Sequence, residues 1–169
     1  MMIAAFDVHY LEDGRASAAA VLFSNYGDAE PAATYTQLFT GAADYIPGEF
    51  YRRELPAILA LLKNFDQASE EMIVDGYVML GNRPGLGHHL FSFFDGKIPV
   101  IGVAKSKFKK SSGVEVFRGK SIRPLVVTSA GIDEQKAVER IRMMHGNHRI
   151  PTLLKRVDRL ARENARQNG

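Results

Sequence analysis

The sequence predicts an α/β protein whose mixed sheet, an antiparallel meander followed by parallel strands, is flanked by helices. Three strand-like apolar segments come first in the 169-residue chain. From Leu55 onward the apolar spacing changes from the period of a strand to that of a helix, and strands and helices then alternate. Because no Ser/Gly/Pro-rich linker divides the chain, a single domain covering residues 1–169 is expected.

The meander is predicted from two strands joined by a tight turn and from a third strand that follows them. Ile3 to Tyr10 and Ser17 to Phe23 read as strands, and Glu12-Asp13-Gly14 lies between them. Asp-Gly tolerates the positive φ that tight hairpins require, so these two strands are expected to pair antiparallel. The third strand covers Ala33 to Phe39.

The helical part begins where apolar residues stand at positions i, i+3, i+4 and i+7, namely Leu55, Ile58, Leu59 and Leu62. The later elements are a strand at Met72 to Asp75, a helix near Leu86 to Phe94, strands at Val100 to Ala104 and Leu125 to Thr128, a helix at about Asp133 to Met144, and a basic helix from Thr152. A right-handed connection would place the first strand beside and parallel to the fourth.

Three acidic residues stand at positions that favour a cation site. Asp7 ends the apolar run Ile3-Ala4-Ala5-Phe6, Asp75 ends Met72-Ile73-Val74, and Glu54 lies one helical turn before Ile58. Two carboxylates ~4 Å apart repel by ~4 kcal/mol at an effective dielectric of ~20, so a cluster must bind metal or retain protons. All-oxygen ligands favour Mg²⁺ or Mn²⁺. The alternative is that the aspartates are turn or cap residues.

Composition limits the classes of function. The chain has no cysteine, which excludes disulfides and thiolate zinc sites, and it has neither a signal-peptide pattern nor an apolar run of the ~20 residues that span a bilayer. A cytoplasmic monomer that does not enter the membrane is therefore expected. The net charge of +3 is small. The cations nevertheless cluster, which fits a solvated face or a nucleic-acid surface. They are Lys105, Lys107, Lys109 and Lys110, and Lys155, Arg156, Arg159, Arg162 and Arg166.

Several distinctive sequence blocks occur in a fixed order along the chain. The most specific are Tyr45-Ile46-Pro47-Gly48 followed by Arg53-Glu54-Leu55-Pro56, and Gly102-Val103-Ala104-Lys105. The other blocks are Phe6-Asp7-Val8, Val74-Asp75-Gly76, Gly85-Leu86-Gly87-His88-His89-Leu90, Arg123-Pro124-Leu125 and Arg149-Ile150-Pro151. Together the blocks extend over nearly the whole chain, and they resemble the endonuclease V family.

The resemblance implies a ribonuclease H-like fold and cleavage of DNA or RNA at the second phosphodiester bond 3′ to a deaminated base, chiefly hypoxanthine. It implies Mg²⁺ as cofactor, with Mn²⁺ as a substitute, held by Asp7, Glu54 and Asp75, with Lys105 near the phosphate. The residues that it implies for binding substrate are Tyr45, Ile46, Pro47 and Gly48 as a wedge, Gly85 and Gly87 near the displaced base, and Arg83 at a phosphate. Neither His88 nor His89 is assigned to metal.

The sequence departs from the family at two places. The family has Gly-His-Arg after its Pro-Leu strand, whereas this chain has Thr128-Ser129-Ala130-Gly131-Ile132-Asp133, so Asp133 is considered as an alternative metal ligand. The family's His-Pro-Arg is Gly81-Asn82-Arg83 here. Two alternatives therefore stay open: a catalytically weak or inactive homologue that binds nucleic acid, and another ribonuclease H-like two-metal nuclease such as a junction resolvase.

Overall fold

A seven-stranded mixed sheet organises the protein, which was studied as a computed structural model describing residues 1–41, 51–109 and 112–169. Within these residues the strands are β1 (Ile3–Tyr10), β2 (Ala16–Phe23), β3 (Ala33–Phe39), β4 (Glu71–Asp75), β5 (Met79–Leu80), β6 (Arg83–Pro84), β7 (Val100–Ala104), β8 (Val114–Val116) and β9 (Leu125–Ala130). The helices are α1 (Tyr51–Leu62), α2 (Leu86–Phe93), α3 (Glu134–Met143) and α4 (Thr152–Asn168).

The strand order in the large sheet is β3-β2-β1-β4-β7-β9-β8. The first three strands form an antiparallel meander, and β1, β4 and β7 are parallel neighbours. These features confirm the predicted fold class and the predicted pairing of the first strand with the fourth. Two features were not predicted: β9 runs antiparallel to β7, with β8 on its outer edge, and β5 and β6 form a separate two-stranded hairpin.

Each face of the sheet is covered by two helices. Along β1 the side chains alternate, so that Ile3 and Ala5 join the core beneath α3 and α4, whereas Ala4 and Phe6 join the core beneath α1 and α2. β2 is buried along its whole length, and its small residues Ser17 and Ala19 lie on the face that α4 covers. At this contact the buried Ser17 hydroxyl donates to the Ala161 carbonyl at 2.7 Å. No helix among the described residues is long and apolar enough to cross a membrane.

Candidate active site

Two aspartates meet at the carboxyl ends of neighbouring parallel strands. Phe6 of β1 is the register partner of Val74 of β4, so the next residue on each strand, Asp7 and Asp75, reaches the same edge of the sheet. Both apolar runs are buried up to that point, whereas Asp7 is half-buried and Asp75 is exposed. This is the edge at which open α/β sheets bind their ligands.

Asp7 lies over an apolar crevice between the sheet and α4. The crevice is lined by Ile73, Leu125 and Val157 among others. Burial raises the pKa of the Asp7 carboxyl well above its ordinary value, and the neighbouring charge of Asp75 and a hydrogen bond to Asp158 raise it further. Asp7 is therefore a carboxyl group that retains its proton at neutral pH when no cation is present.

Asp158 on α4 is the hydrogen-bond partner of Asp7. Burial alone would raise the pKa of the Asp158 carboxyl, but hydrogen bonds from Asp7 and from the Arg162 guanidinium lower it. The Arg162 Nε atom donates to Asp158 Oδ1 at 3.2 Å. The hydrogen bond between the two carboxyls therefore raises the pKa of Asp7 and lowers that of Asp158.

Glu54 approaches the strand ends from the first turn of α1. Burial raises the pKa of its carboxyl to about 8, and the charges of Asp75 and Asp7 contribute to the increase. The mutual effects on pKa indicate that the three predicted acids lie within electrostatic reach of one another.

Lys105 follows β7 directly and lies beside Asp75. Its Nζ atom donates to Asp75 Oδ2 at 3.2 Å. Burial alone would lower the pKa of the Lys105 ammonium, but the charges of Asp75 and Asp7 outweigh burial and raise it. Lys105 is therefore a protonated cation at the edge where the aspartates meet.

These side chains have the chemistry that a divalent ion requires, but their present arrangement is not that of a complete metal site. In the arrangement seen, no three His, Asp or Glu side chains of residues 1–41, 51–109 and 112–169 are close enough together to hold one ion. Two contacts engage the oxygens that such an ion would bind. Lys105 donates to the Asp75 carboxylate, and Asp158 is hydrogen-bonded to Asp7. The donor set consists of carboxylates, which suit a hard cation, and a cation would compete with the protons now held.

A cleft opens beside Asp75 on the side of α1 and α2. Its volume of about 380 Å³ lies within the ~300–1,000 Å³ typical of small-molecule sites. Tyr51, Tyr77, Leu86 and Phe108 supply aromatic and apolar surface. The Tyr77 ring is fixed because its hydroxyl donates to the Ser106 carbonyl at 2.7 Å and accepts from the Phe108 N–H at 3.0 Å. The cleft therefore offers a flat apolar surface next to the carboxylates.

The glycines predicted to bind substrate differ in their positions. Gly85 lines the cleft, and a Cβ there would lie 2.5 Å from the Tyr77 carbonyl oxygen, so only glycine fits. Gly87 is buried instead, and its Cβ would lie 2.7 Å from Val78 Cγ2. Gly87 allows α2 to pack against the segment after β4, and its place near the displaced base stays a prediction.

The remaining predicted contacts surround the cleft. Arg83 lies on the exposed β6 strand, between the cleft residues Leu80 and Gly85. His89 stacks on Tyr51 with ring centroids 3.8 Å apart. The wedge Tyr45, Ile46, Pro47 and Gly48 lies outside the described residues, as does Lys110.

The suggestion that Asp133 is a metal ligand is wrong. Ala130 pairs with Val100, the first residue of β7, whereas Asp75 pairs with Val103 near the end of that strand. Asp133 therefore lies beyond the opposite edge of the sheet, where its carboxylate accepts from the Lys136 N–H and caps α3. The missing histidine of this segment consequently removes no group from the carboxylate cluster.

Asp158 is the residue that sequence reasoning missed. It is one of two acids on an otherwise basic helix, and it directly follows the buried Val157. The sequence signal for Asp158 was its place beside the buried face of an otherwise basic helix. It was not decisive, because the contact of α4 with β1 joins residues far apart in the chain.

Comparisons with known proteins agree with this geometry. The family model for endonuclease V matches residues 1–148. Endonuclease V of Xylella fastidiosa (strain Temecula1) is 33% identical over 107 residues, which cover 63% of this chain and 44% of that protein. This chain thus spans less than half the length of that relative.

Solved structures show the same fold. Endonuclease V of Streptomyces avermitilis has a TM-score of 0.81 at 24% identity, covering 99% of this chain and 82% of that one. Endonuclease V of Ciona intestinalis, in complex with a 23mer DNA containing an inosine followed by a ribo-adenosine, has a TM-score of 0.81 at 18% identity, covering 99% and 86%. The expected ribonuclease H-like fold is confirmed. Because the family model matches most of the sequence, the chain belongs to the endonuclease V family.

Proposed function

We propose that this protein is a metal-dependent endonuclease that cleaves nucleic acid at the second phosphodiester bond 3′ to a deaminated base such as hypoxanthine, in DNA repair or in processing of inosine-containing RNA. Family membership supports a nuclease that acts on nucleic acid. The observation that carries the proposal is the placement of Asp7 and Asp75 at adjoining strand ends, with Glu54 facing them beside an aromatic cleft.

The proposed cofactor is Mg²⁺, with Mn²⁺ as a substitute. Asp7, Glu54 and Asp75 would hold it, and Asp158 adds a fourth carboxylate at the same place. A divalent ion bound there would polarise the scissile phosphate and lower the pKa of a bound water. The raised pKa values of Asp7 and Glu54 support the proposal, because carboxyls that are costly to ionise alone are stabilised in the ionised form by a cation.

The residues around the carboxylates have distinct proposed tasks. Lys105 places a positive charge beside Asp75, where it would balance the charge of the scissile phosphate. Tyr51, Tyr77 and Phe108 line the cleft that would receive the displaced base by stacking. Tyr45 of the proposed wedge would help to separate that base from its neighbours, and Arg83 would contact a backbone phosphate.

The test is cleavage of matched DNA and RNA oligonucleotides that carry one inosine, with Mg²⁺, with Mn²⁺ or with EDTA. One product ending one nucleotide beyond the inosine is expected with metal, and none with EDTA. Asp75→Ala should remove the activity. Intact inosine substrates after long incubation with either metal would contradict the proposal.

A protein that binds nucleic acid without cutting it is the second candidate. The engagement of Asp75 by Lys105 and of Asp7 by Asp158 favours it, because both carboxylates are satisfied without an ion. Salt-sensitive binding to the same oligonucleotides without product would identify this function.

Tyr45→Ala distinguishes a junction resolvase, which would keep its activity on branched DNA in that variant.

A further inference from the structure

A basic cavity flanks the carboxylates on the side of α4, away from the aromatic cleft. It is lined by Lys105, His148, Arg149, Ile150, Lys155 and Asp158. Lys105 also lines the cleft, and Asp158 is the hydrogen-bond partner of Asp7. The cavity is therefore continuous with the carboxylate cluster.

Positive charge dominates the cavity. Lys105, Arg149 and Lys155 are cationic, and Asp158 is the one acidic residue of its lining. The Arg149 guanidinium is fixed by neutral carbonyl groups: Nε donates to the Arg123 carbonyl at 3.0 Å, and Nη2 donates to those of Pro124, at 3.0 Å, and Lys105. These bonds fix the position of the charge without neutralising it, so the cavity holds a preset cation next to the exposed Lys155.

The carboxylates separate the cleft from the cavity. Glu54 and Asp75 border the aromatic cleft, whereas Asp158 borders the basic cavity, and Lys105 borders both. Three regions thus follow one another along the carboxyl edge of the sheet: the aromatic cleft, the carboxylate cluster and the basic cavity. This order gives the site a direction.

We propose that the basic cavity binds the phosphodiesters that follow the cut, so that the strand runs 5′ to 3′ from the aromatic cleft, across the carboxylates, to the start of α4. The inference rests on the proposed function, in which the altered base occupies the cleft and the cut lies on its 3′ side. A strand that continues in the same direction beyond the carboxylates meets Lys105, Arg149 and Lys155. Phosphates are the anions that such a fixed guanidinium and a flexible lysine recognise.

The experiment varies the length of the strand on each side of the cut. The substrates are single-stranded inosine oligonucleotides with short or long 3′ arms, and a matched series with short or long 5′ arms. Their binding to wild type and to Lys155→Ala is measured in Ca²⁺, and their cleavage is measured in Mg²⁺. Lys155→Ala should weaken binding by about threefold to tenfold for long 3′ arms, and should reduce the slope of log affinity against log salt by about 0.7. It should leave substrates with short 3′ arms unchanged. Lys155→Arg should retain wild-type binding.

The control variant is Lys136→Ala, an exposed lysine of α3 beyond the opposite edge of the sheet, which should bind all arms like wild type. An equal loss for all arms in Lys155→Ala, or a loss that follows the 5′ arm, would overturn the proposed direction. Because binding is measured apart from cleavage, binding without cutting by the wild type counts against the proposed function alone. Absence of binding by the wild type would overturn both.

Discussion

Tyr10 supports the site from behind Glu54. The Arg53 guanidinium carbon lies 3.7 Å from the centroid of the Tyr10 ring, a cation–π contact between the end of β1 and the first turn of α1. The Tyr10 hydroxyl is buried without a hydrogen-bond partner among the described residues. Burial and the charge of Glu54 raise its pKa. The ring, rather than the hydroxyl, is therefore the part of Tyr10 that contacts Arg53, the neighbour of Glu54 in the first turn of α1.

Replacing the ring should loosen Glu54. Tyr10→Leu removes a contact of about 1 kcal/mol, so the Mg²⁺ concentration needed for half-maximal cleavage should rise by about fivefold. Tyr10→Phe keeps the ring and serves as the matched control, with a metal requirement like that of wild type. A metal titration of the cleavage rate measures both variants. An equal change in Tyr10→Phe would show that the hydroxyl, not the cation–π contact, has the positioning role.

The protons on the acids predict an unusual pH dependence of metal-free stability. The pKa of Glu54 is about 8 in the folded protein, above its ordinary value of 4.5, so between those pH values the folded state binds more protons than the unfolded state. The free energy of unfolding without metal should therefore fall as pH rises from about 5 to about 8, and Asp7 contributes with the same sign.

Thermal unfolding in EDTA at several pH values measures this effect, with Glu54→Gln as control, because its amide does not titrate. The decrease of Tm with pH should be smaller in Glu54→Gln, and added Mg²⁺ should raise the wild-type Tm more at about pH 8 than at about pH 5. A Tm that rises with pH in EDTA, with the same slope in both proteins, would show that these carboxyls ionise freely.

The sequence predicted Asp7, Glu54 and Asp75 as a group because each closes or flanks an apolar pattern whose direction can be inferred. The prediction of Asp133 as a metal ligand was wrong because the direction of β9 decides which edge of the sheet Asp133 reaches. That direction is set by pairing with β7 rather than by the local sequence pattern. Asp158 was missed for a related reason. Its partner lies 151 positions away in the sequence, and only the packing of α4 on β1 brings the two together.

At the scale of elements, α3 is anchored to the start of β4 by an ion pair between a buried glutamate and a partly exposed arginine. Glu71 is 5% exposed, accepts from the Tyr26 hydroxyl at 2.8 Å, and pairs with Arg140 of α3. Removing one partner of a buried pair leaves a charge without compensation, which costs several kcal/mol. This pair lies at the end of β4 remote from Asp75.

Arg140→Met should therefore lower the free energy of unfolding by about 3 kcal/mol without changing the metal requirement of cleavage. Tyr26→Phe should cost about 1 kcal/mol, because one hydrogen bond is lost. Urea unfolding gives both values. The double variant Glu71→Met/Arg140→Met should recover much of the loss. If Arg140→Met is as stable as wild type, the pair does not stabilise the fold.

Most of the predicted elements have a strong apolar period of their own. Apolar periodicity in the sequence predicted the amphipathic helices α1, α3 and α4 and the apolar strands β1, β2, β4 and β7. β8 has three residues and the β5–β6 hairpin has two on each side, so neither is long enough to show a period. Both depend on pairing with neighbours, and the hairpin carries Arg83 beside the cleft.

For the whole molecule, the net charge of +3 understates the field near the site. Lys105, Arg149 and Lys155 gather beside the acids, so binding of a polyanion should depend on salt more steeply than the net charge suggests. Raising salt from about 50 mM to about 200 mM should weaken binding of a 20-nucleotide strand by at least about tenfold. Fluorescence anisotropy measures it. Affinity independent of salt would exclude a phosphate track on this face.

The central claim is that Asp7, Glu54 and Asp75 together take up a divalent cation. Titration of wild type, Asp7→Asn and Asp75→Asn with Mn²⁺, following free Mn²⁺ by electron paramagnetic resonance, tests it most directly. We predict saturable uptake by the wild type that is strongly weakened in both variants, which keep the shapes of the side chains but not their charges. A wild type that leaves Mn²⁺ free in solution, or variants that bind it equally well, would contradict the claim.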